Sequence, residues 1–349
     1  MSVSNLAEYL DQHAASGTEH AAAVPETVRI LAQSGVKLAR TIARGPHGSA
    51  FAQIDGGTNP DGDQQHGLDV FADDLFLKAM RQSPVGLYAS EELHQPVLIV
   101  ARRPLALAID PLDGSSNIDI NASIGTIFSI RPQPADAEAD PVAPYLRPGR
   151  EQLAAGFLIY GPQLALVLTL GTGTQIFVHS AAEGSFQLAS ADCAIPPRTR
   201  EFAINASNHR HWHEAVRLYF DDCLKGGSGP HQADFNMRWT GSLVAEAYRI
   251  LARGGVFLYP SDFRRGYGSG RLRLIYEAQP IAWLIEQAGG AATDTIEPIL
   301  ALEATELHQR VPLVFGSLAE VARIARYHTL PSHMADRAPL FGARGLFRA

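Results

Sequence analysis

Short apolar runs alternate with amphipathic segments along this chain, twice over, and that alternation limits the fold more than any other feature. PVLIVA (96 to 101) and LALAI (105 to 109) read as buried strands, each bounded by charge or proline. TIFSI, AAGFLIYG and the pair QLALVLTL and TQIFVH around Gly171-Thr172-Gly173 continue the series, the last two as a hairpin. Ahead of them, residues 25 to 44 begin at Pro25 and place Leu31, Leu38 and Ile42 near one helical face. Residues 68 to 81 repeat that period through Leu68, Phe71, Leu75 and Ala79. A second alternation opens near residue 200 with strand FAIN, a helix over about 211 to 224, helix SLVAEAYRILAR and strand VFLYP. It continues with a helix over about 272 to 288 stopped by Gly289-Gly290, strand PLVF and a helix to about 328. Elements in this order predict layered α/β packing with a site in the crevice between two halves. The composition changes at Pro196-Pro197, which divides the chain into 1–197, 198–328 and a tail, 329–349. The proline-rich, acidic segment 131 to 151 is expected as a surface loop.

With 349 residues, 46% of them apolar, the chain can bury a large core. A net charge of -7 without a run of lysine and arginine argues against nucleic acid as a partner. The N-terminal MSVSNLAEYLDQHAASG lacks the basic start and apolar stretch of a secretory signal. No later stretch approaches the ~20 apolar residues of a membrane span, so a soluble, cytoplasmic protein without a membrane partner is expected. Cys193 and Cys223 have no metal-ligand spacing and read as reduced, packing cysteines.

Chemistry concentrates in IDPLDGSSNIDIN, 109 to 121. Asp110 and Asp113 stand three apart across a turn containing Pro111, so both carboxylates can point at one spot, and the turn can aim the carbonyl of Leu112 there too. Packed carboxylates repel unless protonated or neutralised by a cation. Oxygen ligands without histidine or cysteine suit magnesium or manganese rather than zinc. Gly114-Ser115-Ser116-Asn117 reads as a loop entering a short helix, whose N–H groups and hydroxyls suit a phosphate. The same string also fits a plain turn with an Asx cap. Glu91 and Glu92 form an adjacent acid pair, a pattern common on solvated surfaces. Glu277 interrupts the apolar helix LRLIYEAQP, either facing solvent or serving as a ligand. His209, His211 and His213 alternate beside Trp212 and fit surface polar chemistry better than a metal site. GYGSGR lacks the strand and helix context of a nucleotide loop and reads as a flexible loop presenting Arg271.

Taken together, GDQQHGLDV, ASEE, IDPLDGSSNID, GTIFSI, RPGREQLAAGFLIYG, RWTGSLVAEAYRIL, GGVFLYP, GRLRLIYEAQPIAWLIEQAGG and LHQRVPLVFGS closely resemble class I fructose-1,6-bisphosphatases of the bacterial type, over about residues 25 to 328. The resemblance implies a five-layer sugar-phosphatase fold (αβαβα), a homotetramer, and hydrolysis of the C1 phosphate of fructose 1,6-bisphosphate to fructose 6-phosphate and phosphate, in gluconeogenesis or the Calvin cycle. It implies two or more magnesium ions per subunit, held by Glu91, Asp110, the Leu112 carbonyl, Asp113 and Glu277, with Asp63 near a further metal position. Asp69 and Glu92 match acids that orient and deprotonate the attacking water. Asp113, Gly114, Ser115 and Ser116 would hold the leaving phosphoryl group. Asn205, Tyr259 and Arg271 match positions for the sugar and its other phosphate, and Arg238 matches an arginine that reaches a neighbouring subunit's site.

The chain departs from that family pattern in places. Asn208 and Trp239 stand where tyrosines are common, and Arg271 replaces the usual lysine after a longer loop, SDFRRGYGSG. Arginine keeps the charge but not the point geometry. Sedoheptulose 1,7-bisphosphate is therefore an alternative substrate. Pro104-Leu105 and Pro132 occupy positions through which animal members bind AMP, with Arg131 one place from the last, so weak or absent AMP inhibition is expected. The acidic loop has no cysteine, which excludes a thiol switch there. Two rival readings are another phosphomonoesterase of the inositol-monophosphatase-like superfamily and a catalytically silent phosphosugar sensor.

Overall fold

The order of apolar runs becomes two stacked sheets separated and flanked by helices. The computed structural model describes residues 3–45, 67–134 and 137–329. Three helices come first: α1 (Leu6–Ala14), α2 (Ala23–Ile42) and α3 (Gly67–Met80). Strands β1 (Val85–Ser90), β2 (Val97–Leu98), β3 (Leu105–Asp113) and β4 (Ile124–Pro132) follow, then one helical turn, α4 (Ala143–Leu146). A meander, β5 (Ala154–Tyr160), β6 (Leu164–Thr169), β7 (Gln175–Ser180) and β8 (Ser185–Ser190), completes the first half. The second half runs β9 (Glu201–Ala203), α5 (Glu214–Leu224), β10 (Asn236–Met237), α6 (Leu243–Arg253), β11 (Val256–Tyr259) and β12 (Leu272–Arg273). It ends with α7 (Gln279–Gln287), β13 (Ala291–Thr293), β14 (Arg310–Val311), β15 (Leu313–Gly316) and α8 (Leu318–Thr329).

The larger sheet has the order β2-β1-β3-β4-β5-β6-β7-β8, and the smaller β10-β9-β11-β15-β13. In the larger sheet β1 and β3 are parallel and the remaining neighbours antiparallel. Alternation along β3 assigns the layers. Leu105, Leu107 and Ile109 pack with Leu10, Val28, Leu31 and Phe76 of the first three helices. Ala106 and Ala108 face the opposite core, which they share with Val244 of α6, Ile281 and Leu284 of α7, and Phe257 and Phe315 of the smaller sheet. The far side of the smaller sheet, through Phe202, Leu258 and Val314, packs on Val216 of α5 and on Val321 and Ile324 of α8. The layers therefore run helix, sheet, helix, sheet, helix, as the resemblance implies.

Several expectations are corrected. PVLIVA is not a buried strand: only Val97 and Leu98 pair, at the sheet edge, and Leu98 and Val100 are each 42% exposed. The inner position belongs to VGLYAS, whose Gly86 hides its strand character. Segment 131 to 151 is more than a surface loop, since it contains α4 and a 3-10 turn, Gly149–Glu151, and buries Tyr145 completely. The β6–β7 hairpin gains a third strand, β8. The helix expected from about 211 starts at Glu214, after a 3-10 turn, Ala206–His211. The helix expected over 272 to 288 opens instead with β12 and a π-helical turn, Leu274–Ala278, before α7 begins. Asp63 and the tail 330–349 lie outside the described residues.

Candidate active site

Along a regular strand, residues three apart point to opposite faces. Asp110 and Asp113 escape that rule because the pairing of β3 with β4 slips between Asp110↔Ile127 and Asp113↔Gly125, three residues against two. The extra residue is a bulge, which re-aims the second carboxylate onto the face of the first. Pro111 suits this place because it has no N–H to donate to the ladder. Asp110 Oδ1 accepts the Leu112 N–H at 3.0 Å, and Thr126 Oγ1 donates to the Pro111 carbonyl at 2.8 Å. The Asx turn is thus real, and it serves to fix a buried carboxylate.

Gly114 next adopts φ +76°, a left-handed conformation that glycine enters without penalty, and starts the 3-10 turn Ser115–Asn117. Asn117 Nδ2 donates to the Gly241 carbonyl at 2.9 Å, tying the turn to the start of α6. Asp113 Oδ2 accepts the Val244 N–H at 3.1 Å, so this acid sits on the first turn of α6, capped by Ser242. Gly114 and Ser115 are half-buried and Ser116 is exposed, which leaves the turn open to a ligand.

Glu277 reaches the same place from the far half of the chain. Its π-helical turn presents the carboxylate inward, where Oε2 accepts the Arg273 N–H at 2.5 Å. One carboxylate oxygen each from Asp110, Asp113 and Glu277 lies within 4.8 Å of the others, and all three residues are buried. Burial raises all three pKa values. Asp110 is pushed well above the usual carboxylate range, further by Glu91, Asp113 and Glu277. Glu277 is also raised well above it, after burial chiefly by Glu91, with Arg273 opposing. Asp113 rises only to about 6, because the N–H groups of Val244 and Leu243 favour its ionised form. Three such groups require a cation to ionise together, and octahedral ligands about 2.0–2.1 Å from one magnesium ion lie up to ~4.2 Å apart. A donor set of carboxylate oxygens gathered within 4.8 Å suits such a hard divalent cation.

Glu91 lies at the C-terminal end of β1, where its N–H donates to the Ile109 carbonyl at 3.1 Å. Its carboxylate pairs with the Arg273 guanidinium at 3.3 Å. Arg273 was not singled out from the sequence, yet it is a buried cation among these acids. Its one sequence signal is the i, i+4 spacing to Glu277 in RLIYE. The Glu92 N–H donates to Ser90 Oγ at 3.2 Å. Asp69 is buried in the first turn of α3. One turn later, Asp73 accepts the Tyr88 hydroxyl at 2.7 Å, which locks α3 onto the strand leading to Glu91.

At the other end, Asn205, Asn208, Tyr259 and Arg271 line a shallow hollow open to solvent, together with Trp212, Asp262 and Arg264. Arg271 lies 5.9 Å from the Tyr259 ring, and Trp239 stacks on Tyr259 at 5.9 Å. Arg238 is not among the residues of this hollow and instead faces Glu201 at 3.6 Å with half its side chain exposed. The three histidines do not converge: His209 pairs with Asp221, His211 accepts from Arg210, and His213 packs on Phe263. Among the described residues, no helix is long and apolar enough to cross a membrane.

Comparison with known proteins agrees with this geometry. Family models described as the N-terminal and C-terminal domains of fructose-1,6-bisphosphatase match residues 16–191 and 195–329. The chain is 56% identical to the class 1 fructose-1,6-bisphosphatase of Rhizobium meliloti over 349 residues, covering all of both chains. It is 54% identical to that of Paracoccus denitrificans over 322 residues, 92% of this chain and 94% of the relative. The holo form of Leishmania major fructose-1,6-bisphosphatase superposes with a TM-score of 0.84 at 30% identity, covering 94% of this chain and all of that one. Full-length likeness in sequence, two successive domain matches and a shared layered fold place this chain in the fructose-1,6-bisphosphatase family.

Proposed function

We infer that this chain hydrolyses the C1 phosphate of fructose 1,6-bisphosphate to fructose 6-phosphate and inorganic phosphate, in the cytoplasm and as a homotetramer. The observation carrying this reading is the convergence of Asp110, Asp113 and Glu277, buried and within 4.8 Å of one another, beside the open DGSS turn. Two or more divalent ions, magnesium or manganese, would be held by Glu91, Asp110, the Leu112 carbonyl, Asp113 and Glu277, neutralising phosphoryl charge and acidifying a water. Asp63 is assigned near a further metal position.

The residues divide the remaining work. The backbone N–H groups and hydroxyls from Asp113 to Ser116 hold the transferring phosphoryl group, at a turn whose φ +76° start only glycine adopts easily. Asp69 and Glu92 orient the attacking water and take its proton as its oxygen bonds to phosphorus. The P–O bond to the C1 oxygen breaks, and that oxygen leaves as an alcohol after gaining a proton. Asn205, Tyr259 and Arg271 hold the sugar and its second phosphate in the distal hollow. Arg238 extends to a neighbouring subunit's site. One end gathers acids that bound cations would make positive and the other carries guanidiniums, so each of the substrate's two anionic phosphates would meet positive charge.

The test is phosphate release, with magnesium and with chelator, from fructose 1,6-bisphosphate, sedoheptulose 1,7-bisphosphate and inositol 1-phosphate. The first substrate is expected to be turned over only with metal. Activity confined to inositol 1-phosphate, or release from none, would sink the reading. Sedoheptulose 1,7-bisphosphate is a second candidate because Arg271 sits on a long loop beside a hollow bounded by Asn208 rather than a bulkier tyrosine.

A further inference from the structure

Two guanidiniums line the distal hollow. Arg264 shares it with Arg271, Asn205, Asn208 and Tyr259, and with Asp262, whose carboxylate would oppose an anion. That carboxylate is already engaged: Arg264 Nε donates to its oxygens at 3.0 and 3.1 Å, Nη2 to Oδ2 at 2.5 Å, and the Arg264 backbone N–H to Oδ1 at 2.9 Å. Asp262 is 4% exposed, and its own N–H donates to the Tyr267 carbonyl at 3.1 Å. The Tyr267 ring lies against both cations, 4.4 Å from Arg264 and 4.7 Å from Arg271.

This arrangement favours an anionic ligand for two reasons. First, a long side chain ordinarily loses rotamer freedom when it grips a ligand. Arg264 has lost it on folding, because the fork to Asp262 uses one edge of the guanidinium and leaves Nη1 for a ligand. Second, two guanidiniums against one carboxylate leave the hollow with one net positive charge. Sugar hydroxyls need no such charge, whereas a phosphate dianion does. The amides of Asn205 and Asn208 and the Tyr259 hydroxyl supply the neutral contacts around it.

We propose that Arg264, carried into the hollow by the loop between β11 and β12, is a specificity-determining residue that grips the non-reacting phosphate of the substrate together with Arg271. The proposal rests on the hydrolase reading above and deepens it. Arg264→Ala is compared with wild type on fructose 1,6-bisphosphate and on fructose 1-phosphate, which lacks the far phosphate. Losing a charged hydrogen bond predicts a KM for the bisphosphate raised ~10-fold or more with kcat changed less than ~2-fold, and a penalty on the monophosphate within ~2-fold. Arg264→Lys should recover part of the loss. Equal penalties on both substrates, or none on either, overturn the proposal. Calorimetric binding of fructose 6-phosphate to wild type and Arg264→Ala decides separately from turnover, with ~10-fold weaker binding expected and unchanged affinity overturning the assignment. Wild-type protein that binds this ligand yet releases no phosphate from the bisphosphate would instead bring down the hydrolase reading.

Discussion

At the scale of single residues, the acids are poised for a cation rather than for stability. Asp113→Ala removes a candidate ligand and frees only two backbone N–H groups, so kcat should fall by about 10²-fold or more, with the circular dichroism spectrum unchanged. Glu91→Gln also weakens the pair with Arg273 and should lower metal affinity about 10–100-fold, read by titrating magnesium against activity. Arg131 carries a different expectation. It is 1% exposed, with Nη2 donating to Gln279 Oε1 at 2.5 Å and Nη1 to the Arg147 and Pro148 carbonyls at 3.2 and 3.3 Å. A guanidinium so committed cannot swing out to an AMP phosphate. AMP titration of the hydrolase assay should therefore show weak or no inhibition, and a cooperative micromolar response would contradict it. Asp110 and Asp113 were legible from sequence because a short turn links them. Glu277 was undecided there because its partners are over 160 residues away, and Arg273 and Arg264 looked like ordinary charges on a helix and a loop.

At the scale of elements, close approach fixes the site. A Cβ on Gly125 would stand 2.5 Å from the Leu158 carbonyl oxygen and 2.6 Å from Val244 Cγ2, so α6 reaches Asp113 only over a glycine. Gly125→Ala should cost about 1–3 kcal/mol in denaturant unfolding and raise the magnesium requirement, because it pushes the start of α6 away from Asp113. The seam between α5 and α8 makes a prediction about pH. His231 bonds the Tyr327 hydroxyl at 3.1 Å and lies 3.2 Å from Arg323, near Cys223 and Tyr219, while Tyr327 also donates to buried Asp222. Burial, then Arg323, lower its pKa from 6.5 to about 4. The unfolded chain therefore binds more protons between those values, and stability is complete above pH ~6.5 and declines as pH falls toward ~4. Thermal melts across that window should show the decline in wild type and a shallower one in His231→Asn. Helix α2 was legible through its period, whereas β1 was not, because its place between β2 and β3 is set by pairing rather than by its own glycine-interrupted sequence.

At the scale of the whole molecule, Arg238 stands apart from the distal hollow. Its guanidinium faces Glu201, which also binds Arg249 and Arg253, and half of the side chain is open to solvent. Reach into a neighbouring site makes a specific expectation. Mixed oligomers of two weakly active variants, Arg238→Ala and Asp113→Ala, should regain activity beyond the sum of the parents, since some sites then hold an intact Asp113 and a neighbour's Arg238. Hybrids no more active than their parents would place Arg238 outside the neighbour's site. Layered α/β packing was foreseeable because burying one stripe per helix and both faces of a sheet admits few stackings, whereas the five layers followed from the family resemblance alone. Which of the first two strands lies inward was not foreseeable, because PVLIVA is the more apolar run and only pairing sets VGLYAS between β2 and β3.

Local physics determined what the chain could say alone: an α/β alternation, two carboxylates brought near by one turn, and a glycine-serine loop suited to phosphate. Tertiary structure decided the rest. A bulge turned Asp113 onto the face of Asp110, a π-helical turn delivered Glu277, and the loop after β11 laid Arg264 beside Arg271. The division has one physical reason: a side chain's direction is local to its backbone, but whether two charges meet depends on layers packed from distant segments.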